Sequence, residues 1–175
     1  MNIFEFGWQS LLAWTAAYCI LEPISYHVIP AFSGSKTVAE YYDIRKTPVA
    51  MVVFGDYIYS TFLLLVTQGI IPLVLGTSAS LSVLTWIMCF AIFVAVQWVG
   101  DLSFYTIVSQ LPKTGKYIDF FQRYGKEVGL SAPFGDSVYG LCWFLLTQGV
   151  AMGAPYLSQV TAIVLFIFGT LVLSY

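Results

Sequence analysis

Two stretches of this chain are too long and too uncharged to be covered in water. Residues 49–75 contain one charged side chain, Asp56, and residues 81–111 contain one, Asp101. A bilayer core about 30 Å thick takes about 20 apolar residues as helix. Both stretches exceed that length, and three others approach or pass it, near 6–31, 135–154 and 157–175. Charged residues make up 9% of the chain, against about 25% in a typical soluble domain. The sequence therefore predicts an all-α integral membrane protein with five transmembrane helices, 1–175 forming one membrane domain. The opening MNIFEFGWQ has no basic residue ahead of its apolar run, so the first segment is expected to be a retained helix, not a cleaved leader.

The basic residues confirm where the segments end. Lys36, Arg45 and Lys46 fall in the link 32–48, and Lys113, Lys116, Arg123 and Lys126 in the link 112–134. These are all seven Lys and Arg of the chain. Positive residues collect on the cytoplasmic side, which predicts cytoplasmic interfacial links, a non-cytoplasmic N-terminus and a cytoplasmic C-terminus. The other two links, Gly76-Thr77-Ser78-Ala79-Ser80 and Gly153-Ala154-Pro155, read as tight turns between antiparallel neighbours.

Each charged link is expected to hold a short surface helix. Tyr117, Phe120, Phe121, Tyr124 and Val128 recur at i, i+3, i+4, i+7 and i+11, with charges mostly opposite, an interface-seeking pattern. In the first link Thr37-Val38-Ala39-Glu40 has the form of a capping box ahead of Tyr41, Tyr42 and Ile44.

The chain also repeats itself. FGDYIYSTFLLLVTQG at 54–69 returns as FGDSVYGLCWFLLTQG at 134–149, identical at eight of sixteen positions. Glu22 and Tyr26, four apart, match Asp101 and Tyr105, 79 residues later. Segments one and two, about 6–76, therefore match segments three and four, about 81–154. Because both links face one side, this is a parallel tandem repeat of helix pairs, with 157–175 as a fifth, extra helix.

Four acids lie inside or at the edge of apolar segments: Glu22, Asp56, Asp101 and Asp136. A carboxylate there costs about 3 kcal/mol on insertion scales and is a functional candidate. Counted from the links, Glu22, Asp56 and Asp101 lie roughly 12–16 Å deep, and Asp136 shallower. Tyr26, Tyr59, Gln97, Tyr105 and Tyr139 are spaced to share faces with them, and a tyrosine hydroxyl one turn away can bond a carboxyl group. No Lys or Arg lies in a segment to pair with them. The acids are then either protonated or share a cation, which leaves the metal question open. For Asp56 and Asp136 the competing reading is the N-cap of a spanning helix. For Glu22 and Asp101 it is interhelical hydrogen bonding.

Other chemistry finds no residues. Without a Lys in a segment there is no retinal Schiff base, and one histidine, His27, cannot ligate haem from both sides. HExxH, GxSxG and P-loop patterns are absent, Ser25 and His27 lie on different helical faces, and no cofactor is implied. Cys19, Cys89 and Cys142 fall in apolar runs without a CxxC pair and read as small hydrophobes. The acidic balance argues against nucleic acid.

One stretch resembles a known group. In DFFQRYGKEVGLSAPFGDS, residues 119–137, the positions Asp119, Phe121, Arg123, Tyr124, Glu127, Val128, Gly129, Gly135, Asp136 and Ser137 resemble uncharacterised multispanning membrane proteins of large eukaryotic DNA viruses. Asp101-Leu102-Ser103-Phe104-Tyr105 and Pro112 extend the likeness upstream, while Pro133-Phe134 stands where an aliphatic pair is expected. The resemblance implies a viral origin and a host or virion membrane, and carries no catalytic role. Two functions lead, ahead of a membrane enzyme. One is a structural or assembly component of a membrane, with the bilayer and homo-oligomers or other membrane proteins as partners. The other is a small cation or proton channel or transporter built on the four acids.

Overall fold

The computed structural model describes residues 4–76 and 82–173. Among them are seven helices and no strand: α1 (Trp8–Ser33), α2 (Lys36–Tyr41), α3 (Val49–Leu75), α4 (Val83–Gln110), α5 (Lys116–Val128), α6 (Ser131–Gly153) and α7 (Tyr156–Leu173). Local chemistry sets the boundaries. Gly34, at φ 63°, ends α1 in the left-handed conformation that glycine takes without strain. The Ser82 hydroxyl accepts the Thr85 N–H at 3.0 Å and opens α4. Ala154 is extended ahead of Pro155, as a residue before proline prefers, and this breaks α6 from α7. The expected turn at 153–155 is therefore present. Of the other turn, Thr77 to Ser80 lie outside the described residues.

The five long helices close into a ring of side-by-side contacts, in the order α1, α6, α4, α3, α7 and back to α1. Three of them are long and apolar enough to cross a membrane: Val52–Leu75, Val83–Gln110 and Tyr156–Leu173. Five were expected, and by length and composition α1 and α6 fall short of the other three. The two that fall short, α1 and α6, carry Ser10, Thr15, Glu22 and Ser25, and Asp136, Ser137, Thr147 and Gln148. They can be more polar because their faces turn inward. Nine residues of α1 are buried, including Trp14, Tyr18 and Glu22, whereas α7 buries only Gln159 and Thr170.

The ring encloses side chains, not a bore. Trp14 and Trp143 stack at 3.8 Å between centroids. Phe144 packs edge-on to Trp14, Phe90 and Phe93. The Trp143 indole N–H donates to the Trp14 carbonyl at 2.8 Å, and the Trp14 indole N–H donates to Thr61 at 3.1 Å. Burying aromatic rings of this size is the largest apolar contribution available to the core.

Both charged links lie at one end, where α2 packs on α1 and α5, and α5 packs on α4 and α6. The expected surface helices are present, but α2 starts differently. Its cap is Ser35, whose hydroxyl accepts the Val38 N–H at 3.2 Å, so Thr37 is inside the helix and the Thr37–Glu40 box does not form. The carboxylate that completes this cap comes from α5: Glu127 accepts the Ser35 hydroxyl at 2.9 Å and the Lys36 N–H at 2.7 Å. Arg123 donates to both carboxylate oxygens of Glu40, at 3.0 and 3.1 Å. On the inner side of α5, the Gln122 amide donates to the Val108 and Leu111 carbonyls at 2.9 and 2.8 Å, tying α5 to the end of α4.

Candidate functional site

The four acids sit in the link-end half of the ring, and three of them are held by tyrosines from other helices. Glu22 of α1 is 1% exposed. Its Oε2 accepts the Tyr139 hydroxyl of α6 at 2.7 Å. Asp101 of α4 accepts the Tyr59 hydroxyl of α3 at 2.6 Å and, more weakly, the Gln97 amide one turn back at 3.4 Å. Asp56 of α3 accepts the Tyr41 hydroxyl of α2 at 2.6 Å.

The first two bonds are counterparts. Tyr59 and Tyr139 occupy matching positions of the two similar stretches, as do Glu22 and Asp101. Each acid is bonded by the tyrosine of the other stretch. Gly100 makes one of these approaches possible, since a Cβ there would meet the Tyr59 hydroxyl at 2.7 Å.

Several expectations are corrected. Neither Asp56 nor Asp136 caps a helix. α3 begins at Val49 and α6 at Ser131, both upstream of the acid. The reason is proline placement: Pro48 is the N-cap of α3, and Pro133 lies in the first turn of α6, where its missing N–H costs nothing. Tyr26 and Tyr105 do not bond the acids of their own helices. The Tyr26 hydroxyl is buried without a partner among the described residues, and its ring meets Tyr42 edge-on. Tyr105 lies against Gly125 of α5, a contact only a glycine admits. A rigid phenol carries its hydroxyl away from its own helix axis, so it reaches a neighbour more readily than a residue one turn back. Tyr18 follows this rule too, donating to the Val53 carbonyl of α3 at 2.8 Å.

Asp136 differs from the other three: no described residue hydrogen-bonds it and its residue surface is open, yet it lies within the electrostatic reach of Asp101 and Asp56. His27 is also exposed, as is Cys142, while Cys19 and Cys89 are buried.

The link helices supply residues that sequence reading did not assign to the acids. Burial raises the Tyr42 phenol well above its ordinary pKa, and the nearby charges of Asp56, Glu22 and Asp136 raise it further. Tyr41 is raised by burial and then by Asp56. Tyr124 of α5 is raised by burial, then by Asp136, Asp56 and Asp101. Between them, Tyr42 and Tyr124 feel all four acids. Tyr41 and Tyr42 were visible only as aromatics of the short link helix, and nothing in their spacing tied them to Asp56.

Chemically, this belt supplies acceptors paired with phenolic donors. Among the described residues, no three His, Cys, Asp or Glu side chains are grouped to hold a metal ion, so the four acids do not form one coordination sphere. Two buried oxygens on adjacent turns, Glu22 Oε1 and the Tyr26 hydroxyl, have no partner among the described residues. No protein family, no curated protein and no solved structure matches the chain.

Proposed function

We propose that the chain is a polytopic integral membrane protein with a structural or assembly role, and that its intramembrane acids lock helices together. The observation that carries this reading is the reciprocal pair of bonds, Tyr139 to Glu22 and Tyr59 to Asp101. Each ties one half of the ring to the other, α6 to α1 and α3 to α4. An interhelical bond of this kind contributes about 0.6–1.7 kcal/mol in a membrane. The stacked rings of Trp14 and Trp143 fill the interior where a conduction path would run.

In this reading α1 and α6 cross the bilayer together with the three apolar helices, sheltered by their places in the closed ring. The two halves are then copies of one helix pair, each with its link helix; α2 starts at Lys36 and α5 at Lys116, 80 residues on (116 − 36). The positive links face the cytoplasm, with the N-terminus opposite and the C-terminus on the link side. The exposed apolar face of α7 offers packing surface for a second copy or another membrane protein. The likeness of 119–137 to viral membrane proteins supports a host or virion membrane.

The test is membrane extraction followed by unfolding. The protein should stay in membranes washed with alkaline carbonate. Tyr59→Phe with Tyr139→Phe should lower its unfolding midpoint in bicelles. Release by carbonate would contradict the membrane reading, and an unchanged midpoint would contradict the locking role.

A second reading has one observation in its favour. Glu22 Oε1 is buried and unpartnered among the described residues, which suits an acid that takes up a proton or a small cation. That reading requires flux across liposomes that Glu22→Gln abolishes.

A further inference from the structure

The two links carry seven basic side chains and four acids, a balance of +3 (7 − 4) at one end of the ring. All four acids are engaged. Glu40 takes Arg123, Asp43 takes Arg45 and Lys46, Asp119 takes Lys113 and Arg123, and Glu127 takes Ser35 and the Lys36 N–H. Arg123 holds Glu40 below the usual carboxylate range, and Lys113 followed by Arg123 does the same for Asp119. The ammonium groups of Lys36, Lys116 and Lys126 face no carboxylate within ion-pair distance among the described residues. The positive excess is therefore not neutralised within the chain.

Part of it converges on a cleft. Between the start of α3 and the first turns of α5 lies a cavity of about 90 Å³. Lys46, Lys116 and Arg123 line it with Pro48 and Tyr117, and so do Glu40 and Asp119, whose carboxylates are both paired with Arg123. The Lys116 ammonium donates to the Lys46 carbonyl at 3.2 Å, which brings the two basic residues to the same wall. An ammonium has three donors, so two remain on Lys116. The Lys46 ammonium is 3.5 Å from Asp43 and its side chain is 64% exposed. α3 leads away from this cleft with Phe54, Ile58 and Phe62 exposed at i, i+4 and i+8.

Resting on the membrane reading above, we infer that this cleft seats the phosphate of an anionic phospholipid. Lys46 and Lys116 are its donors, and Tyr117 and Pro48 contact the glycerol region. The commitment to a lipid rests on three features together: two lysines left over once Arg123 has paired with Glu40 and Asp119, apolar lining beside those lysines, and position at the end of membrane-length helices. Basic residues near an anionic leaflet each contribute favourably to binding. Two lysines should favour phosphatidylglycerol over phosphatidylcholine by roughly tenfold in affinity.

The test uses full-length protein in detergent, titrated with each lipid while the thermal unfolding midpoint is followed. Phosphatidylglycerol should bind roughly tenfold tighter than phosphatidylcholine. Lys46→Gln with Lys116→Gln should reduce that preference to within about twofold, and Lys36→Gln with Lys126→Gln, outside the cleft, should keep it. Equal binding of the two lipids in the wild type overturns the proposal, as does an unchanged preference in the Lys46/Lys116 variant. Loss of preference in the Lys36/Lys126 variant means diffuse attraction and also overturns it. Inorganic phosphate reproducing the shift at equal concentration overturns the assignment to a lipid. An absent lipid preference in protein that resists carbonate extraction removes the cleft and leaves the membrane reading standing. Release by carbonate removes both.

Discussion

The ring has two halves that are held by different physics. In the half away from the links, Trp14, Trp143, Phe90, Phe93 and Phe144 interlock, and the indole bonds only orient rings that packing already holds. In the link half the interior is polar, and hydrogen bonds between carboxyl and phenol decide which helix faces which. The lesson is a division of labour. Aromatic burial is strong and non-directional, so it condenses the helices without choosing their register. A buried acid accepts only a donor at the right place, so it specifies register at modest net gain.

That contrast can be tested by substitution. Trp143→Ala should have the largest effect, a loss of about 3–5 kcal/mol from truncating a buried aromatic, read as the unfolding free energy in bicelles. If it proves milder than loss of the tyrosine hydroxyls, the assignment of roles to the two halves is inverted. Tyr59→Phe and Tyr139→Phe should each cost about 0.6–1.7 kcal/mol. Cross-linking between α1 and α6 should become less specific in Tyr139→Phe, because the lost bond sets register. Arg123→Gln should cost about 0.5 kcal/mol, as expected of an exposed pair. Because Arg123 lowers the folded-state pKa of Glu40, this contribution is present at neutral pH and fades as pH falls below the usual glutamate range, ~4.3. The protection factor of the α2 amides in hydrogen exchange, which is taken relative to the intrinsic rate at each pH, should therefore fall on acidification in the wild type and change less in Arg123→Gln. Asp136→Asn, at an acid with no hydrogen-bond partner among the described residues, should change stability by less than about 0.5 kcal/mol. A large loss there would show that all four acids act alike.

The helix plan was legible because it follows from apolar length, proline and charge. The link 32–48 holds a helix where its pattern placed one, and α5 keeps Phe120, Phe121 and Tyr124 against the ring. The number of apolar helices was not legible. Segment length does not reveal that α1 and α6 bury their faces on each other and so can carry Glu22 and Thr147. The acids themselves stood out by being charged among apolar neighbours. Their partners were half legible. Tyr59 and Tyr139 emerged through the repeat, but spacing along one helix suggested Tyr26 and Tyr105, because a sequence shows neighbours on a helix and not those across a ring. The cap on α2 failed for the same reason. Glu127 completes it from the other link, 92 positions from Ser35.

The claim that the acids lock helices and carry no ions is tested most directly by flux. The protein is reconstituted in liposomes, and proton and monovalent cation movement is followed under imposed gradients. The account predicts leakage no greater than in protein-free liposomes, with Tyr59→Phe and Tyr139→Phe lowering stability alone. Flux in the wild type that Glu22→Gln abolishes, with the fold intact, would contradict it.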